Sequence, residues 1–194
     1  MDASDTELTR GVPGGVRPSV LRFALLVFAL LGAAAMGYLL YLHYAPVESA
    51  VCNIGETFSC ITVNKSIYAT IFGIPTALLG LLYFLYAGVV AAWFLTPLAL
   101  RALALVSILA LGPSLHLTLT SVFVLGTVCV FCEGSKVLMG AIAFLAGREA
   151  FPLSPSKRHI LLAIAGAIVL GILTYLLHEY LEPSLDAVLS RPAY

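Results

Sequence analysis

Charge is the scarcest thing in this sequence. Only 10% of its 194 residues are charged, against about a quarter in a soluble globular domain. Ten acidic and ten basic residues cannot coat a chain of this size, which excludes a water-soluble enzyme. The two signs balance, so no net charge draws the chain to nucleic acid. Internal repeats are missing, and so is the polar, low-complexity composition of a disordered protein. Cysteine is nearly absent as well, and the four present carry most of the chemistry below.

What is abundant is apolar: 61% of the residues are hydrophobic. Spanning a bilayer as a helix takes about 20 such residues. In lipid the backbone must bond to itself, so spans are helices or closed barrels. The runs here are continuous rather than alternating, which predicts an all-α integral membrane protein. Residues 1–19 form a polar tail, with Gly11, Pro13, Gly14, Gly15 and Pro18. The first run is Phe23 to Tyr41, followed by a polar stretch from His43 to Lys65 that holds Cys52 and Cys60. The second is Tyr68 to Leu95, with Pro75 inside it and Thr96-Pro97 as a turn after it. The third is about Ala102 to Phe123, interrupted at Gly112-Pro113, and the fourth about Val128 to Ala146. A linker from Arg148 to His159 leads to the fifth, Ile160 to Leu177, and an acidic tail with Glu179, Glu182 and Asp186. Run one, with Ala33, Ala34 and Ala35, has some character of a cleaved signal peptide, but its apolar length favours a retained helix.

Lys and Arg in short loops set orientation. With the N-terminus inside, Arg10, Arg17, Arg22, Arg101, Arg148, Lys157 and Arg158 fall on the cytoplasmic side. Lys65, Lys136 and Arg191 fall at the other face, a bias of seven to three. Five spans then put the C-terminus outside. Cys52, Cys60, Cys129 and Cys132 all collect at the external, oxidising face.

Cys129-Val130-Phe131-Cys132 is a C-x-x-C pair, a spacing that lets two sulfurs meet within a helical turn. Cys52 and Cys60 are separated by seven residues, poor zinc spacing but suited to a disulfide-closed loop. Read singly, one pair is a stabilising disulfide and the other two small buried hydrophobes. Two pairs at one membrane face fit a thiol–disulfide relay better. Exchange of that kind passes through a mixed disulfide attacked by a thiolate.

The pattern as a whole resembles the vitamin K epoxide reductase family. The residues that carry the likeness are Cys52 through Cys60, Ser66, Phe72-Gly73-Ile74-Pro75, Gly80 and the C-x-x-C of Cys129 and Cys132, over roughly residues 20–150. The resemblance implies a four-helix bundle around a quinone, covering residues 20–147 with an external loop at 43–67. A fifth transmembrane helix at 160–180 would follow, reached by a cytoplasmic linker at 148–159. It implies a quinone-dependent thiol oxidoreductase that reoxidises an external thioredoxin-like partner. Cys52 would meet the partner, Cys60 would exchange with Cys129, and Cys132 would face the quinone, of ubiquinone or menaquinone type. Ser66 and Phe72 would join Cys132 in binding it. The chain departs from the family in three places. No fused thioredoxin-like domain follows the fifth helix, so a separate partner is expected. Lys136 stands where animal members have tyrosine, and Ala69 where they offer an asparagine. Both changes favour a simple quinone over vitamin K epoxide.

Lys136 lies one helical turn beyond Cys132. It is a candidate to stabilise a thiolate or a quinone oxyanion, or else a residue that snorkels and pairs with Glu133. His116 is a candidate proton carrier or a helix–helix hydrogen-bonding residue. Tyr41, His43 and Tyr44 fit an interfacial aromatic belt. Pro75 is expected to kink the second helix, and Gly73 and Gly80 to allow close packing. The rival readings are a small transporter or scaffold, which lacks repeated halves, and a metal site using all four thiolates; no metal is expected. The other bacterial quinone-linked disulfide generator carries its C-x-x-C first, the reverse of the order here.

Overall fold

The computed structural model describes residues 17–45, 51–54, 57–150 and 157–176, with side chains from 164 onward in the last segment. The tail before residue 17, Pro152 and Pro155 of the linker, and the end with Glu179, Glu182, Asp186 and Arg191 lie outside the described residues.

Helix α1 spans Pro18–Tyr44. Pro18 stands at its start, where a missing N–H is harmless. Leu21, Leu25, Ala29, Gly32, Met36, Leu39 and Leu42 recur every three or four residues and form its buried stripe. Short helix α2 covers Cys60–Asn64, and a 3-10 turn follows at Ile67–Ala69. Strands β1 (Thr70–Ile71) and β2 (Ile74–Pro75) pair antiparallel. Helices α3 (Thr76–Trp93), α4 (Pro97–Phe123), α5 (Val130–Ala150) and α6 (Lys157–Leu176) complete the chain. Among the described residues, α1, α3, α4 and α5 are long and apolar enough to cross a membrane, and α6 has an apolar core at Ile164–Leu176. The expected all-α membrane architecture is therefore found.

The second run differs from expectation. It does not begin as helix at Tyr68: residues 67–75 form the turn and hairpin, and Pro75 precedes α3 instead of kinking it. Pro75 lacks an N–H, and Phe72 and Gly73 both adopt left-handed backbone, with φ of 52° and 75°. Two such residues make the tight turn whose twist suits a hairpin. Gly73 thus serves the turn; it faces open space and packs against nothing. Gly80, in contrast, does lie against Met36. The third run also differs. Thr96 accepts from Ala99 N (3.2 Å) and caps α4, so helix starts at Pro97. Pro113 does not break it. Neighbouring helices and hydroxyls satisfy backbone groups freed by proline in lipid, and α6 packs closely on α4 next to Pro113, at Gly112.

The helices form an incomplete ring. α3 packs on α1, α1 on α5, α5 on α4 and α4 on α6, while α3 and α4 barely touch despite being consecutive. Lipid gives no hydrophobic drive to helix association, so close packing at small residues must hold it. The Phe84 ring fills the space a side chain at Gly32 would take, and the Ala167 carbonyl does the same at Gly112. At the α3–α4 end of the ring one buried tie crosses, Tyr83 Oη to Ser107 Oγ at 2.7 Å. Arg101 Nε donates to Ala150 O (3.0 Å) and closes the last turn of α5 at the end opposite the cysteines.

Candidate active site

The loop after α1 is built to hold one disulfide against the bundle. Val51 N donates to Tyr38 Oη (3.2 Å), and Ile54 N to Phe58 O (3.0 Å). Asn53 Oδ1 accepts from Cys60 N at 3.1 Å, and Ser59 Oγ caps α2 by accepting from Thr62 N at 3.2 Å. Cys52 and Cys60 are joined, with Cα atoms 5.8 Å apart.

This loop is sewn to the start of α5. Val128 N donates to Thr57 O (2.9 Å) and Ser59 N to Val128 O (3.2 Å), a parallel pairing of Phe58 with Val128. Thr127 Oγ1 adds a bond to Thr57 O at 3.1 Å. The two segments run the same way out of the pairing, which Cys129 follows by one residue and Cys60 by two. Sequence spacing gives no hint of this link, because it joins residues far apart by backbone groups alone.

All four sulfurs are buried. Cys52 is 4% exposed, Cys60 0%, Cys129 1% and Cys132 9%. A partner-facing cysteine is expected to be the most accessible of the four, and Cys52 is not. The disulfide lies inward while neighbouring Val51, 83% exposed, takes the surface position.

Cys129 sits one residue ahead of the α5 span and occupies its capping position. A hydrogen bond from the Cys132 thiol holds the Cys129 thiol below its ordinary range. Burial opposes this, and the Cys132 backbone N–H, 3.3 Å from the sulfur, supports it. Both cysteines are free thiols.

Cys132 opens onto a cavity of about 260 Å³ among α1, α3, α4 and α5. Its walls are mostly apolar, including Met36, Leu39, Phe84 and Met139, while Asn64, Tyr68, His116 and Lys136 add polar atoms. Ser66 and Phe72, expected as quinone contacts, do not line it. Ser66 Oγ donates to Val63 O (2.7 Å), and Phe72 is exposed at the hairpin tip. The substitution site Ala69 is in the wall, as is Asn64, which sequence reasoning missed. Asn64 is fixed by its backbone and side chain: its Nδ2 donates to Leu39 O, and its carbonyl lies 2.7 Å from His43 Nδ1. Tyr83 was missed too, because a tyrosine in an apolar run reads as filler; only a partner such as Ser107 reveals it. His116 lines the cavity and meets the Tyr175 ring edge-on, centroids 5.6 Å apart.

Lys136 combines both readings given to it. Its Nζ lies 2.6 Å from Glu133 Oε1 and also donates to Thr118 Oγ1. Thr118 Oγ1 bonds the same carboxylate at 3.0 Å. Yet Lys136 is only 11% exposed and lines the cavity beside Cys132. Tyr41 and Tyr44 are exposed, as an interfacial belt requires. Among the described residues no three His, Cys, Asp or Glu side chains gather as a metal site.

Against this geometry, the sequence profile of the vitamin K epoxide reductase family matches residues 23–147, well over half the chain. The chain belongs to the vitamin K epoxide reductase family. No curated protein matches it as a relative. As a member of this family it is a multi-pass membrane redox enzyme that works through cysteines. Enzymes of the family generally use quinones and thioredoxin-like partners.

Proposed function

We propose that this chain is a quinone-dependent oxidoreductase of protein thiols, with its cysteines at the external face and its N-terminus in the cytoplasm. The observation that carries the reading is the backbone pairing of Thr57–Ser59 with Val128. It supports a relay in which the loop disulfide and the C-x-x-C exchange directly.

A partner dithiol is oxidised to a disulfide while Cys52–Cys60 is reduced to two thiols. Cys60 then attacks a Cys129–Cys132 disulfide at Cys129, and Cys52 resolves the mixed disulfide. The loop is reoxidised and the C-x-x-C holds two electrons and two protons. A bound quinone supplies the acceptor for both. The cavity's chemistry fits that group: apolar walls for a ring and tail, and polar atoms next to Cys132. Cys129 adjoins the residue that pairs with the loop, which makes it the point of attack, and its lowered thiol makes it a good leaving group when Cys52 resolves the mixed disulfide at Cys60. Cys132 is the cysteine that faces the cavity, and Lys136 holds positive charge where negative charge develops. Because Cys52 is buried, the loop must shift before a folded partner can reach it. Ser66 acts in this scheme by closing the turn behind α2, and Phe72 by shaping the hairpin. The choice between ubiquinone and menaquinone types falls to the apolar wall.

The test is turnover by the protein purified with native lipid, using a reduced thioredoxin-like donor and a ubiquinone analogue. Quinol should form, and serine at any of Cys52, Cys60, Cys129 or Cys132 should abolish it. Wild-type protein that oxidises the donor without quinol formation refutes the acceptor. A reporter fused at residue 150 that is active only outside the cell refutes the orientation.

A further inference from the structure

The quinone reading assigns the head of the molecule to the Cys132 end of the cavity and leaves the opposite side open. That side is where α3 and α4 barely touch. The turn at Phe94–Thr96 joins them, and the Tyr83–Ser107 bond ties them about ten residues, or about 15 Å, from that turn. Beyond the tie, toward the cysteines, the cavity itself separates the two helices, with Leu79 and Gly80 on one side and Ala110 and Pro113 on the other. The rims are apolar: Leu79 and Leu82, both exposed, on α3, and Ala110 and Pro113 on α4. No charged residue occurs from Ser66 to Leu100 or from Ala102 to Cys132. A gap with such rims faces hydrocarbon, not water.

One wall of this cavity comes from outside the region that matches the family. The match ends at residue 147, yet Thr174 of α6 lines the cavity. Next to it, Tyr175 packs its ring edge-to-face on His116, a cavity residue of α4. The position of α6 is set by backbone, because Gly112 meets the Ala167 carbonyl and Gly171 lies against Gly112 O. Thr174 is therefore held in place and cannot drift with side-chain rotamers.

We propose that α6 is a specificity element. The apolar tail of the quinone leaves the cavity through the gap between α3 and α4, and Thr174 with Tyr175 sets which tails fit. This inference rests on the quinone-reductase reading above. It assigns a function to a helix that the relay chemistry does not require, since no cysteine lies on it.

The experiment uses the full chain in nanodiscs, with a tail-free ubiquinone analogue and its decyl-tailed counterpart. The readout is the ratio of the two KM values. Thr174→Phe fills the gap and should raise the decyl-to-tail-free KM ratio by roughly tenfold, the scale of apolar misfit in a pocket. Tyr175→Ala, at a half-exposed position that tolerates truncation, widens the same opening and should lower the ratio. Opposite shifts support the proposal, and either variant carries the test if the other does not fold. Ratios that stay at the wild-type value overturn it, as do KM values for both quinones that change in parallel. Wild-type protein that reduces neither quinone refutes the acceptor assignment itself, and this inference with it.

Discussion

Replacing Lys136 by methionine keeps the length of the side chain and removes its charge. A negative charge developing about 4 Å from Nζ is stabilised by about 4 kcal/mol at an effective dielectric of about 20. The Glu133 carboxylate sits 2.6 Å from the same ammonium. On the far side of Nζ it opposes that charge by about 2.5 kcal/mol at the same dielectric. The net is about 1.5 kcal/mol, or roughly tenfold in rate. Glu133 is 35% exposed and Lys136 11%, so solvent screens the opposing charge more than the favourable one. Lys136→Met removes the favourable part alone and leaves the opposing carboxylate, so it should slow quinol formation by about a thousandfold, whereas removing both charges should cost about tenfold. Glu133→Gln should act in the other direction, because it removes the opposing charge and leaves the ammonium bound to Thr118. The assay is single-turnover quinol formation from prereduced protein, followed by stopped-flow absorbance. The electrostatic argument fails if Glu133→Gln slows the step as much as Lys136→Met does. That result would mean that the pair only holds α5 and α4 together.

Other consequences can be measured independently. Incubated with the oxidised, disulfide-bonded partner, Cys60→Ala should accumulate a mixed disulfide on Cys52, because Cys52 attacks the partner's disulfide and no Cys60 thiol is left to release it; peptide mapping that finds it on Cys132 reverses the direction of electron flow. A lowered Cys129 thiol means thiolate at lower pH than the ordinary value of about 8.5. Modification of Cys129 by a small methanethiosulfonate should thus begin below that pH, and Cys132→Ala should move the onset upward by removing the donor. An unmoved onset would show that Cys132 does not set it. Gly32→Leu should overpack against Phe84 and cost about 1–3 kcal/mol. That lowers the melting temperature in detergent by several degrees, at about 3 °C per kcal/mol. Adding Phe84→Leu should recover part of the loss, and simple additivity of the two would refute the contact.

Much of the architecture could be read from the sequence because lipid imposes one simple rule. A continuous apolar run must be helix, and the helices α1, α4, α5 and α6 follow from it. The rule fails where an apolar stretch contains residues that cannot stay helical. Ile67 to Pro75 reads as the start of a span, but Phe72, Gly73 and Pro75 turn it into a hairpin. It also starts the third helix late: the turn at Thr96 is there, but its side chain caps a helix that begins at Pro97. At the site, the residue types announce redox chemistry and the C-x-x-C spacing announces its pair. What stays hidden is contact between distant segments. Asn64, Tyr83 and Thr174 line the cavity through tertiary packing, and the Phe58–Val128 pairing runs through backbone atoms that any residue possesses. Exposure is hidden in the same way: nothing in the sequence around Cys52 distinguishes a surface thiol from one turned inward behind Val51.

The open ring also has a mechanical consequence. A closed bundle resists squeezing from every direction, but this one is joined through α1 and α5 and slit between α3 and α4. The bilayer presses sideways on that slit, and the Tyr83–Ser107 bond is a buried polar tie across it. Acyl-chain order and leaflet tension should therefore set how wide the slit stands. They would act on traffic from the lipid side and leave the cysteine end, braced by backbone pairing, at its own pace. On the proposed quinone chemistry the membrane would then throttle one half of the cycle, and the same protein would run at different speeds in stiff and in fluid lipid.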